Sequence, residues 1–164
     1  MKKMTAMIFG LFVLALMLTA PGLAQGRYRG RVYSKADVDR IIKRVEDRSD
    51  AFQKMVDRNL DRSRLNGSKR EDNINDQVKD LEKALDDLRR EFDRKDSFRE
   101  TRREVERVMS EADEVKALMK RLRFDASVER EWQLVKADLN KLAGVYELSG
   151  PFHKYSDIFF ARSF

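Results

Sequence analysis

The sequence predicts an all-α protein, an antiparallel up-down-up-down four-helix bundle whose helices meet along coiled-coil-like seams. Three observations carry that expectation. Apolar residues recur at alternating intervals of three and four in four successive segments. Helix-start and helix-stop residues separate those segments. The only two prolines, Pro21 and Pro151, lie outside them.

The first helix is expected over 35–65. Ser34-Lys35-Ala36-Asp37 has the form of a capping box, with Asp in place of Glu. Val38, Ile42, Val45, Phe52 and Val56 make its stripe, and Ser49 holds the one register position between Val45 and Phe52 that should be apolar. Asn66-Gly67 closes it, because both residues tolerate the left-handed conformation that ends a helix. The second helix, 69–94, opens on the full capping box Ser68-Lys69-Arg70-Glu71 and carries Ile74, Val78, Leu81, Leu85, Leu88 and Phe92.

A second full box, Ser97-Phe98-Arg99-Glu100, starts the third helix, 98–123. Its stripe is Phe98, Val105, Val108, Ala112, Val115, Met119 and Leu122. Asp125 caps the fourth, 126–148, with Val128, Trp132, Val135, Leu139, Leu142 and Tyr146 on one face. Ser149-Gly150-Pro151 then stops it. Trp132 reads as a core anchor, and Met55, Met109 and Met119 as core filler.

One helix cannot hide such a seam alone. Four joined by short connections hide them together. About two dozen side chains, each contributing roughly 1.5–3 kcal/mol on burial, suit a domain of this size. A long helical hairpin that dimerises would use the same seams between chains. Short loops and helices of similar length favour the monomer.

Before the bundle comes a segment with a different purpose. Lys2 and Lys3 precede an uncharged run from Met4 to Ala20, and Pro21-Gly22-Leu23-Ala24 adds a break and small residues. That is the pattern of a secretory signal peptide over 1–24, cleaved between Ala24 and Gln25. The alternative is a retained anchor, for which the run is slightly short of the ~20 apolar residues that span a bilayer. The expected location is therefore outside the cytoplasm, periplasmic or extracellular. The chain has no cysteine, so neither a lipid-modified cysteine nor a disulfide contributes there.

Removing Lys2 and Lys3 lowers the basic residues from 35 to 33 against 29 acids, and the formal net charge from +6 to +4. Both signs are dense and mixed along the helices. This is the composition of solvated helix faces, not of the segregated positive surface that nucleic acid requires.

An even number of antiparallel helices returns both chain ends to one end of the bundle. Two unusual segments then become neighbours. One is an arm, 25–33, in which Arg27, Tyr28, Arg29 and Arg31 alternate basic and aromatic character. The other is a tail, 149–164, with Phe152, Tyr155, Phe159, Phe160 and Phe164. Together they form the candidate interaction surface. The competing reading folds the tail aromatics back as a plug for the open bundle end.

Catalytic and cofactor chemistry is not legible. His153 is the only histidine, which excludes a di-iron site built from two Glu-x-x-His units and leaves little for zinc. Covalent haem attachment needs cysteines. The acidic pairs Asp86-Asp87 and Asp113-Glu114 sit beside Arg90, Lys116 and Lys120 and read as surface ion pairs. No cofactor, no metal and no enzymatic activity are expected. Asn66-Gly67-Ser68 matches a glycosylation acceptor, but the helix-end turn explains those three residues fully.

Ser63-Arg64-Leu65-Asn66-Gly67-Ser68-Lys69-Arg70-Glu71-Asp72 and Glu131-Trp132-Gln133-Leu134-Val135-Lys136-Ala137-Asp138-Leu139-Asn140-Lys141-Leu142-Ala143 resemble segments of uncharacterised secreted helical proteins of environmental bacteria. The resemblance spans most of the mature chain and implies no activity. In broad class only, the chain also resembles periplasmic helical chaperones and stress sensors, whose Leu-Thr-x-x-Gln repeats are absent here. The expected role is binding, with another envelope protein as partner. A membrane or anionic-polymer surface is the alternative, and a small-ligand carrier with a cavity beside Trp132 is a third.

Overall fold

A computed structural model describes residues 26–28 and 31–148. It contains a short hairpin, β1 (Gly26–Tyr28) and β2 (Arg31–Tyr33), and four helices, α1 (Lys35–Asp61), α2 (Lys69–Arg94), α3 (Arg102–Arg121) and α4 (Ala126–Val145). The protein is an all-α four-helix bundle with this hairpin appended.

Every stripe residue named for α1, α2 and α4 is buried, and so are those of the third segment except Leu122, which is half-buried. Ile41, Leu60, Ala84, Met109 and Leu118 widen the seams. Trp132 stacks on Phe52 inside the core, ring centroids 5.1 Å apart. Ser49 is also buried, and its Oγ has no hydrogen-bond partner. The polar interruption in the stripe is thus a polar interruption in the core, where an orphaned hydroxyl costs about 1–3 kcal/mol.

Contacts between helices fix their relative directions. Arg89 of α2 meets Asp39 and Glu46 near the start of α1, whereas Asn75 meets Asp57 near its end. On the opposite flank, Asp138 takes Arg44 and Arg48, while Asp125 takes Asn59. Asp87 of α2 pairs with Arg107 of α3. Rising numbers on α1 meet falling numbers on both α2 and α4, so α1 runs antiparallel to each.

Ionic clasps hold α1 on both sides. The Arg89 guanidinium lies 3.1 and 2.8 Å from Glu46 and 2.5 Å from Asp39. Hydrogen bonding to Glu46 is the main cause raising its pKa, against the opposing effect of burial. Asp138, almost fully buried, sits 3.1 Å from Arg44 and 2.7 Å from Arg48. Contact between α3 and α4 is sparser than along the other seams. Desolvation, reinforced by Lys116 and Lys120, lowers the pKa of Lys136 there, with Glu129 acting in the opposite direction.

Several boundaries differ from those expected. Helix α1 stops at Asp61, four residues early. Asn66 Nδ2 donates to the Asp61 carbonyl (2.7 Å), Ser63 Oγ accepts from Leu65 N–H (3.0 Å), and these side chains compete with the helical ladder. Gly67 then takes a left-handed φ of 73°. At Ser68 only half of the capping box forms. Its N–H goes to the Leu65 carbonyl, so the Glu71 carboxylate turns to Gly67 N–H instead. Residues Phe98–Thr101 make a 3₁₀ turn, and α3 proper begins at Arg102. Helix α4 ends at Val145, ahead of Gly150.

The caps at Ser34 and Asp125 form as the sequence indicates. Ser34 Oγ accepts from Asp37 N–H while the Asp37 carboxylate accepts from Ser34 N–H. Asp125 accepts from the N–H groups of Ser127 and Val128, which, after the bond from the Ser127 hydroxyl, holds its pKa down at about 2. The ion pairs read on the surface are present too, Asp87 with Arg90 and Asp113 with Lys116.

Candidate interaction surface

The arm at 26–33 is a hairpin, where the sequence reading assigned no regular structure. Its strands pair antiparallel in the register Gly26↔Tyr33, Arg27↔Val32 and Tyr28↔Arg31. The signal was available: two short runs with β-favouring Tyr and Val flank Arg29-Gly30, a two-residue connection with glycine. A two-stranded hairpin has little stability by itself, so its support must come from the bundle.

That support has two parts. Strand β1 lies against α4. Tyr33 is buried in the core immediately before the Ser34 cap. Tyr33 and the fully buried Val38 occupy the two positions of a hydrophobic staple, one before the cap and one four residues after it. The hairpin therefore enters α1 at a fixed angle. Val32, the neighbouring strand residue, is exposed, as alternation along a strand requires.

Below the hairpin the bundle end is closed by aromatics. Phe98 and Tyr146 meet edge to face at 5.6 Å, and both are buried. Thr101 Oγ1 donates to the Phe98 carbonyl (2.8 Å), which uses its only proton. The Tyr146 hydroxyl, 2.9 Å away, must then donate to Thr101. Burial pushes the Tyr146 pKa up to about 12, with Glu104 adding to the rise. Lys35 donates to the Lys95 carbonyl and places its ammonium 5.2 Å from the Phe92 ring centre. Among the described residues, Tyr33, Phe92, Phe98 and Tyr146 are the buried aromatics at this end, and the tail expected either to plug it or to bind a partner lies outside the described residues.

Helix α4 leaves this end through a Schellman motif. Leu148 N–H donates to the Ala143 carbonyl (3.0 Å) and Glu147 N–H to Gly144 (3.2 Å). Glu147 takes the left-handed position with φ 55°, where glycine is usual. Arg102 donates to the Tyr146 carbonyl at 2.6 Å, and a small groove of about 130 Å³ opens beside it between Arg99, Arg102 and Glu147.

Of the residues proposed from sequence, Arg27, Tyr28 and Arg31 fall on the hairpin strands. The register sets Tyr28 opposite Arg31 and puts Arg27 opposite the exposed Val32, on the other face of the ribbon. Ala24, Gln25, Arg29, Phe152, Tyr155, Phe159, Phe160 and Phe164 lie outside the described residues, as do the signal-peptide segment and His153. Phe98 and Tyr146 are core residues at the stripe positions their periodicity assigns, whereas burial of Tyr33 and Thr101 is not signalled by any stripe. Among the described residues, no group of three or more His, Cys, Asp or Glu side chains could hold a metal ion, and no helix is long and apolar enough to cross a membrane. No protein-family model, curated protein or solved structure matches the chain.

Proposed function

We propose that this is an exported, non-enzymatic helical-bundle protein that binds another protein of the cell envelope through its hairpin end. The observation that carries this reading is the mounting of the hairpin. Tyr33 is buried in the core, and β1 lies against α4. A surface ordered in advance loses less conformational entropy on binding than a mobile arm. Arginine and tyrosine, both present on this hairpin, are the residue types that most often anchor protein interfaces.

A second reading has its own support. Arg27, Arg29 and Arg31 put three positive charges within five residues, a charge density suited to an anionic lipid or polymer surface. Photo-crosslinking separates the two. A crosslinker replacing Arg27, which shares its ribbon face with the exposed Val32, should capture a discrete envelope protein at both 50 and 500 mM salt. The same crosslinker replacing Glu114 on α3 should not. Salt screening would abolish an anionic-surface contact. Equal capture from both positions would sink the hairpin assignment.

A further inference from the structure

At the end of the bundle opposite the hairpin, a groove of about 160 Å³ runs between the start of α2 and the end of α3. Its floor is apolar: Ile74, Leu118 and Leu122. Its rim carries Arg70, Arg121 and Gln77, and no carboxylate lines it. Among the described residues neither arginine is in an ion pair, although Arg121 Nε reaches the Ala117 carbonyl. Gln77 Oε1 is buried without a hydrogen-bond partner among the described residues.

The larger groove further along the same two helices, about 350 Å³, is different. Glu91 and Glu104 line it, and its Arg90 and Arg107 already share Asp87. Carboxylates line that groove together with its arginines, and none lines this one. Helix polarity does not decide the matter. The positive N-terminus of α2 lies beside the negative C-terminus of α3, so the two dipoles oppose each other and the arginines set the sign.

We infer that this groove binds the carboxy-terminal residue of a partner chain, with an apolar side chain on the floor and the terminal carboxylate between Arg70 and Arg121. The three chemistries of a chain end match the three features of the site. Guanidinium groups recognise carboxylates with charge-assisted hydrogen bonds. Ile74, Leu118 and Leu122 take the apolar side chain. The terminal residue's N–H gives the Gln77 oxygen its missing partner, the amide turning about its soft terminal torsion to meet it. The volume is well below the roughly 300–1,000 Å³ of small-molecule sites, and suits one residue.

Titrating the full chain with N-acetyl-Ala-Ala-Leu as the free acid and as the carboxamide, followed by methyl NMR, tests this. The acid should shift the Ile74, Leu118 and Leu122 methyls and bind at least tenfold more tightly than the amide. The Arg70→Ala/Arg121→Ala double variant, with its fold checked by circular dichroism, should lose that preference. Equal binding of acid and amide would overturn the inference. So would equally tight binding of acetate, or no shift of these methyls at millimolar peptide. Hairpin crosslinking is unaffected by either result, so the two binding assignments stand or fall separately.

Discussion

At the hairpin end, Tyr33, Phe98 and Tyr146 bury their rings and Tyr146, Thr101 and the Phe98 carbonyl satisfy one another in a hydrogen-bonded chain. At the far end, Arg70 and Arg121 border a groove with no carboxylate, over a half-buried Leu122. One end is closed by packing and carries its chemistry on an added hairpin. The other leaves polar capacity unused in the bundle itself. The difference shows how one four-helix scaffold can offer two surfaces of opposite construction, a mounted platform and an open notch.

The largest test of this contrast is truncation. Phe98→Ala should cost about 3–5 kcal/mol in urea unfolding, because it opens a cavity under Tyr146. Leu122→Ala at the far end should cost no more than about 2 kcal/mol, since its side chain is only half-buried. Equal costs would mean that the two ends are packed alike.

Alkaline unfolding comes next. The Tyr146 pKa is raised to about 12 in the folded chain, whereas in the unfolded chain it lies near 10. Between those values the folded state holds the proton that the unfolded state has released. The stabilisation is complete below pH 10 and is lost as pH climbs toward 12, by on the order of 2–3 kcal/mol. Tyr146→Phe should flatten this dependence in thermal melts run from pH 9 to 12. An unchanged slope would contradict the buried hydroxyl.

Smaller effects mark the two left-handed positions, one at each end. Gly67→Ala puts a Cβ into open space, so its cost of about 1–2 kcal/mol comes from the backbone alone. Glu147→Gly should instead stabilise by up to about 1 kcal/mol, because a glutamate holds the place glycine prefers. Smallest of all, Arg70→Ala or Arg121→Ala should change stability by no more than about 0.5 kcal/mol. A larger loss would show that those arginines serve the fold.

Much of the scaffold was legible because seam burial depends on spacing, which is visible in one dimension. Val38 to Val56, Ile74 to Phe92 and Val128 to Tyr146 are core residues at the positions their periodicity assigns. Helix ends were harder. Asn66 and Ser63 end α1 early through side-chain bonds to the backbone, and the stripe does not reveal which local bond wins. The hairpin escaped because three-residue strands are too short for a period. Its anchor, Tyr33, looks like one more aromatic until its place before the Ser34 cap is considered. The far groove could not have been read at all. It depends on which surface arginines lack partners, and only the positions of α2 and α3 relative to each other decide that.

Hydrogen–deuterium exchange of the full chain tests most directly whether the hairpin is a mounted platform. Amides in residues 26–33 should exchange at least tenfold more slowly than the same amides in a Tyr33→Ala variant, with α2 and α3 unchanged between the two. Exchange of that segment at free-peptide rates in the unaltered protein would contradict the mounting, and with it the reading of this end as a preformed binding surface.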